Sequence, residues 1–316
     1  GFANPLLPKA VLFTASAGRT SGPVDWVGQG EGNEAFQNYI LDLTVDTGSG
    51  NLGAIGIDYL ANNMGAIRNV KIRSGDGRGL AGLWLARRWP GPCFIKGLTV
   101  EGFDYGIRAG HAQYSVTFEH IVLAQQKVAG IRNDDNVLVI RGLMSANAVP
   151  AIQSAGGRGL IDLVDGNLTG GASSLSAIDN QGGELIARNI VTAGYLSAIR
   201  NKGVVIPGVS VSEFVSSPII TLFPSPKSSL GLLVEETPEL PPPSLASTAN
   251  VADFGAIPND RTRDSLGAFQ AAMDSGFIDV YSPPEGRYLF SDTLVVRGNV
   301  RRLDFTLACS AARQSD

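Results

Sequence analysis

The sequence predicts an all-β protein that is built mainly as a right-handed parallel β-helix. This prediction rests on a recurring tetrapeptide, on a second set of short strands between its copies, and on turns rich in glycine, asparagine and aspartate. The tetrapeptide combines a small residue, an aliphatic residue and mostly polar residues, and successive copies begin 21 to 26 residues apart. A repeat of this length indicates a solenoid. The copies are residues 56–59, 82–85, 106–109, 130–133, 151–154, 177–180 and 198–201.

The second strand set lies between these copies and alternates apolar with polar residues, as a half-buried strand does. Its members are residues 69–72, 97–100, 120–123, 142–145 and 189–192. Because the phase is kept from one period to the next, equivalent strands should pair in parallel and equivalent aliphatic residues should form ladders inside the coil. We therefore expect at least two strands in each coil.

A leucine-rich repeat and a β-sandwich explain the pattern less well. The leucine-rich repeat has a similar period, but its Leu-x-x-Leu-x-Leu signature does not persist along this chain. A β-sandwich also has alternating strands, but it does not keep one residue type in one phase through successive periods. The parallel β-helix is therefore the favoured fold.

The composition restricts the classes of partner and cofactor. The chain has 316 residues, with 39 glycines, 17 prolines and a formal net charge of −4. Its interspersed charges provide no broad positive field for nucleic acid, and no apolar run is long enough to span a membrane. Cys93 and Cys309 form no Cys-x-x-Cys pair, so we expect neither a metal site nor a cofactor. Two buried free thiols are favoured over a single disulfide between them, which stays an alternative.

The pattern divides the chain into three parts. Residues 1–222 are predicted to form the β-helix, whose N-terminal part is expected to be missing. Residues 223–249 are predicted to be a linker because their prolines exclude both a helix and an inner strand. Residues 250–316 are expected to be the incomplete start of a second β-helix, since a lone coil cannot bury its own apolar face. The chain is therefore expected to be a fragment.

The last part contains a predicted amphipathic helix over 264–276. Asp264 is its expected N-cap and Gly276 its expected C-terminal stop. Strands are predicted on the far side of this helix at 278–281 and at 293–296.

This part resembles the N-terminal start of the pectate lyase superfamily, in which a short strand, a cap helix and a Pro-x-Gly-x-Tyr strand begin the β-helix. The residues that carry the resemblance are Val-Ala-Asp-Phe-Gly-Ala at 251–256, Ala-Phe-Gln-Ala-Ala at 268–272 and Pro-Pro-Glu-Gly-Arg-Tyr-Leu at 283–289. The chain has Asp260-Arg261 where that start usually has Asp-Gly, and Arg263-Asp264 where it usually has Asp-Asp. The cap helix is compatible with both departures.

A start segment placed after a run of coils implies a tandem β-helix, and this order resembles glycoside hydrolase family 55. The resemblance implies a secreted, monomeric enzyme that cleaves β-1,3-glucan from chain ends with inversion, and a polysaccharide or oligosaccharide as its partner. It also places the catalytic acid in the second β-helix, so we assign no catalytic residue and expect this chain alone to be inactive. A pectate or rhamnogalacturonan lyase and a non-enzymatic glycan-binding β-helix, such as a tailspike or an adhesin, remain alternatives.

The repeat phase also predicts a binding surface. In the first strand set the aliphatic residue points inward, so the residue after it should point outward and stack on its equivalents in neighbouring coils. The resulting column is Asp58, Trp84, Arg108, Arg132, Gln153, Asp179 and Arg200. An indole stacks on sugar rings while amide and charged groups bond their hydroxyls, although any solvated β-helix face shows such residues. The candidate substrate-binding residues are Asp58, Trp84, Arg108, Arg132 and Asp179.

Other polar residues are interpreted as structural. We expect Asp134 and Asp135 to form a turn and not a Ca²⁺ site, because such a site needs several converging oxygens. Glu101, Asp104 and Glu119 are expected to be solvated loop charges and not an acid/base pair. The two histidines are expected to make ordinary surface hydrogen bonds.

Overall fold

The chain forms two compact units, Gly1–Gly231 and Leu232–Asp316. The computed structural model describes residues 1–14, 35–36, 38–227, 231–236, 238, 244–260, 262–283 and 286–305, and the backbone of 309–312. The division between the units falls inside the linker that the sequence predicts. Within the described ranges, no helix has the length and apolar character needed to cross a membrane.

The first unit is a parallel β-helix, as predicted, and its strands are numbered along the chain. The first sheet runs from one end of the solenoid to the other in the order β1 (Lys9–Phe13), β4 (Ala54–Asp58), β6 (Ala81–Leu85), β8 (Tyr105–Gly110), β10 (Ala129–Asp134), β12 (Ile152–Ala155), β14 (Ser176–Asn180), β16 (Ser197–Asn201) and β17 (Val204–Ile206). All seven predicted tetrapeptides lie in this sheet.

The second sheet lies on the opposite side of the core and holds the second strand set. Its strands are β2 (Tyr39–Leu41), β3 (Thr44–Asp46), β5 (Ala66–Arg73), β7 (Cys93–Glu101), β9 (Val116–Ala124), β11 (Val137–Ala146), β13 (Leu160–Thr169), β15 (Glu184–Thr192) and β18 (Ser210–Val215). Strand β13 was not recognised in the sequence, but it occupies the rung between β11 and β15.

The predicted aliphatic ladder is present inside the coil. Ile107 pairs with Ile131, Ile131 with Ile152, and Ile152 with Ile178, each in parallel register. The register continues to Ile199 at one end. All of these side chains have no exposed surface, so the recurring aliphatic position is the core position of the first sheet.

The small residue before each aliphatic residue is required by the close approach of the two sheets. A Cβ atom at Gly82 would lie 2.3 Å from Cγ1 of Val100, and a Cβ atom at Gly56 would lie 2.3 Å from Cγ2 of Ile72. Real Cβ atoms do not approach this closely, so a larger side chain would push the sheets apart.

Each long strand of the second sheet bends at one residue with left-handed backbone, where φ lies between 53° and 70°. Glycine, asparagine and aspartate adopt this conformation at low cost. The register skips the bend, since Arg141 pairs with Glu119 and the next pair is Leu143 with Ile121. We call these stacked residues the bend column; it comprises Asp42, Asn69, Gly97, His120, Gly142, Asp165 and Asn189.

The parallel register ends where the sequence predicts that the repeat decays. Strand β17 pairs with β16 in antiparallel register, and β18 pairs with β15 in the same manner. The open edge of a parallel sheet invites pairing with another chain. Here the two antiparallel strands occupy the last edge of both sheets.

Within the residues of the second unit that the structure describes, there is one α-helix, and the short strands pair in parallel. The elements are β19 (Thr248–Asn250), α1 (Leu266–Asp274), β20 (Asp279–Tyr281), β21 (Arg287–Phe290), β22 (Arg302–Asp304) and β23 (Cys309–Ala312). Phe269 of α1 packs edge-on against the rings of Tyr288 and Phe290, both at 4.9 Å between centroids. The predicted amphipathic helix is therefore confirmed, and its apolar face forms the core of this unit.

Two details of this unit differ from the prediction. The N-cap position is occupied by Ser265, while Asp264 accepts a hydrogen bond from the backbone N–H of Leu266. The strand predicted at 293–296 is absent, and β21 and β22 lie on either side of this segment. The segment is held instead by Gln270, whose side chain accepts from the N–H of Val295 and donates to its carbonyl. These two hydrogen bonds take the place of the backbone hydrogen bonds that Val295 would form with a neighbouring strand.

Replacing one rung of the ladder tests the packing. We expect Ile131→Ala to lower the free energy of unfolding of the β-helix by about 2–5 kcal/mol, because it leaves a cavity between Ile107 and Ile152. Val139→Ala is the control, since Val139 is exposed on the outer face, and it should cost less than about 1 kcal/mol. Urea unfolding measures both values, and equal stability of the two variants would contradict the ladder.

Candidate functional site

The predicted outer column is continuous from Trp84 to Arg200. Trp84 pairs with Arg108, and Arg108 pairs with Arg132. The register continues through Gln153 and Asp179 to Arg200. Neighbouring rungs lie about 4.8 Å apart, so these side chains form one uninterrupted row. We call this row the ridge; it comprises Trp84, Arg108, Arg132, Gln153, Asp179 and Arg200.

Asp58 is in register with Trp84, but its expected exposure is wrong. Its side chain is fully buried because Arg87 and the N-terminal strand β1 cover it. Arg87 Nε donates to Asp58 Oδ1 at 2.7 Å, and Arg87 Nη2 donates to the backbone carbonyls of Thr14 and Asp58. The Arg87 guanidinium also lies 4.2 Å from the ring centroid of Phe13. Asp58 therefore anchors the N-terminal segment and is not available to a ligand.

Burial raises the pKa of the Asp58 carboxyl to about 6, against the opposing effect of the Arg87 guanidinium. Burial lowers the pKa of Arg87. Because the pKa of Asp58 is higher in the folded chain than in the unfolded chain, folding favours its protonated form. The contribution of Asp58 to stability is therefore greatest below about pH 4 and is lost as the pH rises through about 6.

A comparison of the wild type with Asp58→Asn tests this linkage. The stability of the wild type relative to the variant should fall as the pH rises from about 4 to about 6, by up to about 3 kcal/mol, and stay constant above that range. Urea unfolding at a series of pH values measures the difference, and all other titrating groups cancel in it. A difference that does not change with pH would contradict the burial of an ionisable Asp58.

A shared carboxylate fixes the two central arginines of the ridge. Asp134 accepts from Arg108 Nη2 at 2.8 Å and from Arg132 Nε at 2.8 Å. Arg132 also donates to Gln153 Oε1 at 2.5 Å. These ion pairs are partly exposed, so each adds only about 0–1 kcal/mol to stability. Their main effect is to hold the guanidinium groups in one orientation.

The indole of Trp84 is not open to solvent on all sides. The Arg108 guanidinium lies 5.5 Å from the ring centroid of Trp84 and 5.1 Å from that of Tyr105. The guanidinium therefore lies over the indole in a cation–π contact, and a sugar ring that approaches Trp84 also meets Arg108.

The far end of the ridge has a second ion pair. Asp179 accepts from Gln181 Nε2 at 2.8 Å and lies 4.0 Å from Arg200 Nε. Asp179 is mostly buried between its neighbours, while Arg200 is half exposed. Along the solenoid axis the ridge thus presents an aromatic group, two cations, an amide, an anion and a third cation.

The sequence analysis missed an aromatic cluster on the loops that follow β6 and β8. Trp89 and Tyr114 meet edge-on at 6.2 Å between ring centroids, and Trp89 Nε1 donates to Gln113 Oε1 at 2.9 Å. The Arg88 guanidinium covers the Trp89 ring at 3.9 Å, while 41% of Tyr114 is exposed. The signal was the presence of a large aromatic residue in both loops at the same distance from the end of the preceding strand, Leu85 for Trp89 and Gly110 for Tyr114.

The remaining carboxylates that the sequence singled out are mostly engaged. Glu101 accepts from Lys71 Nζ at 2.9 Å. The expectation of a solvated loop charge is wrong for Glu119, which lies in β9 and forms a largely buried pair with Lys96 at 3.3 Å. Burial raises the pKa of Asp104. Among the residues that the structure describes, no group of three or more histidine, cysteine, aspartate or glutamate residues is arranged to hold a metal ion.

The surroundings of Asp135 and Cys93 indicate structural roles for both residues. Asp135 has left-handed backbone and accepts from the N–H of Arg158, as expected for a turn. Cys93 is a buried free thiol, and burial raises its pKa to about 12. The side chain of Cys309 lies outside the described residues.

A second surface lies along the bend column on β9, β11, β13 and β15. It is a groove of about 450 Å³ whose lining includes His120, Gly142, Asp165 and Asn189 of the bend column. The outward residues two positions further along each strand complete it: Val122, Met144, Asn167 and Val191. We call this surface the bend groove. The sequence analysis did not predict it.

No family model and no curated protein sequence matches the chain. Its functional interpretation therefore depends on the fold and on the geometry of these two surfaces.

Proposed function

We propose that the chain is the glycan-binding β-helix of a secreted, carbohydrate-active protein and that the ridge is its polysaccharide-binding surface. The single observation that carries this proposal is the uninterrupted register of the ridge from Trp84 to Arg200. A linear polymer with a regular repeat suits a linear row of side chains with a regular spacing. Secretion follows from the ligand, since structural polysaccharides lie outside the cell.

The chemistry of the ridge supports a sugar ligand. The partly exposed indole of Trp84 offers a surface for the C–H face of a sugar ring, with the Arg108 guanidinium next to it. Arg132 and Gln153 present N–H donors, and the partly exposed carboxylate of Asp134 presents an acceptor, so both kinds of hydroxyl interaction are available. Because the arginines are already held by Asp134, little side-chain freedom is lost on binding.

The finer proposal is a glycoside hydrolase that acts on β-1,3-glucan and resembles glycoside hydrolase family 55. Support comes from the order of a β-helix, a proline-rich segment and a second unit with a helix and parallel strands. It also comes from the sequence resemblance of residues 251–289 to the start of the pectate lyase superfamily. The hydrolytic acid and base are not assigned to any residue of this chain.

Incubation with laminarin, polygalacturonate and rhamnogalacturonan tests the proposal. We expect saturable binding to laminarin by isothermal titration calorimetry. Products are sought with the full reading frame, because the chain alone is expected to be inactive. Release of glucose from laminarin supports the hydrolase, and release of unsaturated uronides from the acidic polymers makes the protein a lyase. Binding by the full-length protein without any product identifies a glycan-binding β-helix. Failure to bind any of the three polymers contradicts the proposal.

Replacing the aromatic member of the ridge tests the location. We expect Trp84→Ala to weaken laminarin binding about tenfold, which corresponds to about 1.4 kcal/mol, because it removes the aromatic surface of the ridge. Val139→Ala is the control, since Val139 lies on the outer face of the second sheet, and it should bind as the wild type does. If Trp84→Ala binds laminarin as tightly as the wild type does, the ridge is not the binding surface. The assignment of the fold would not be affected.

A further inference from the structure

We infer that the bend groove is a second glycan-binding site, on the opposite sheet from the ridge, that holds a short run of neutral sugar rings. The inference rests on the proposed glycan ligand, but it concerns different residues and a different face. The groove crosses four strands, which gives it a length of about 14 Å along the solenoid axis. Its volume of about 450 Å³ is within the usual range for small-ligand sites.

Gly142 allows the imidazole of His120 to lie across the floor of the groove. It lies between His120 and Asp165 in the bend column, whose backbones are about 9.6 Å apart. A Cβ atom at Gly142 would lie 3.1 Å from His120 Nδ1, so the imidazole occupies the space that a larger side chain would take. The floor of the groove therefore presents an imidazole on the same side as the Asp165 carboxylate.

One wall of the groove is an exposed apolar stripe. Val122 pairs with Met144, and Asn167 lies between Met144 and Val191 in the same register. Met144 is 56% exposed and Val191 is 52% exposed, although both lie in the middle of paired strands. Apolar side chains grouped in a concave surface usually mark a binding site. The C–H faces of sugar rings fit such a stripe.

The polar groups of the groove are oriented by their neighbours. Asp165 accepts from Asn189 Nδ2 at 2.6 Å and lies 3.9 Å from Arg141 Nε, while its carboxylate remains partly exposed. Asn167 adds a side-chain amide with both donors and an acceptor. The groove therefore combines apolar contact with donors and acceptors at fixed positions, as recognition of several hydroxyl groups requires.

Other occupants match the groove less well. An extended peptide gains its affinity from a free strand edge, whereas β9, β11, β13 and β15 are already paired on both sides. A nucleic acid requires a basic surface, but the groove holds the carboxylate of Asp165 and the chain has a net charge of −4. A purely apolar ligand would leave Asp165 and the amide of Asn167 without their water.

Methyl NMR gives a direct test, because the chain contains only three methionines. Met144 lines the groove, Met64 is 53% exposed elsewhere, and Met273 is buried in the second unit. We expect titration of protein labelled with ¹³C at the methionine methyls with laminarihexaose to shift the Met144 signal saturably and to leave the Met64 and Met273 signals unchanged. An unmoved Met144 signal at saturating sugar, or equal movement of Met144 and Met64, overturns the inference.

Variants separate the groove from the ridge. Asp165→Asn and Asn167→Ala should each weaken the affinity measured at Met144 about three- to tenfold, and Val139→Ala on the same strand as Met144 should not change it. Trp84→Ala should leave the Met144 titration unchanged while it weakens binding at the ridge. If laminarihexaose binds the wild type without moving Met144, the groove inference fails and the proposed function stands.

Two further outcomes also decide the inference. If laminarihexaose produces no binding at either surface, both the groove inference and the proposed glycan ligand fail. If the Met144 signal moves with protein concentration in the absence of sugar, the groove is a contact between copies of the chain and the inference is wrong.

Discussion

The aliphatic ladder inside the first sheet fixes the phase on which every outer feature depends. Side chains of a strand alternate between its two faces, so a slip of one residue would move Ile131 to the surface and Arg132 into the core. Each fully buried isoleucine stabilises the correct phase by about 1.5–3 kcal/mol relative to exposure. Because the same phase recurs in successive coils, the outward residues stack on one another whatever their side chains are.

Much of the fold follows from this periodicity and was predictable. The seven tetrapeptides, their parallel register and the end of the repeat near Val204 can all be read from residue spacing. The strand predicted at 293–296 was wrong because its apolar alternation carries no information about Gln270, whose side chain takes the backbone bonds of Val295. Periodicity shows on which face of a strand a side chain lies. It does not show which group forms hydrogen bonds with the backbone of that residue.

The surface was less predictable than the core. Asp58 has the same phase as Trp84, but it is buried because Arg87, 29 residues further along the chain, and the N-terminal strand cover it. The bend groove was missed because it depends on one left-handed residue in each coil. Asn69, Gly97 and Asn189 begin their copies of the second strand set. This preference for glycine and asparagine at the first position is the sequence signal of the bend. Strand β13 carries Asp165 at that position and was overlooked.

The ridge and the bend groove illustrate two ways in which one solenoid presents side chains. On the first sheet the strands are straight, and the outward residues form a row of charged and planar groups. On the second sheet each long strand bends at one left-handed residue, and the residues beside the bend line a concave surface with an apolar wall. Both surfaces run along the solenoid axis, so both suit a linear ligand that contacts several coils at once.

A crystal structure of the chain with bound laminarihexaose is the most direct measurement. The stacked phase of the ridge predicts sugar rings that follow the solenoid axis and contact Trp84, Arg108 and Arg132 on three successive rungs. Sugar that lies across the axis, or an outer face on which Trp84, Arg108 and Arg132 do not form one row, would contradict the link between the inner ladder and the binding surface.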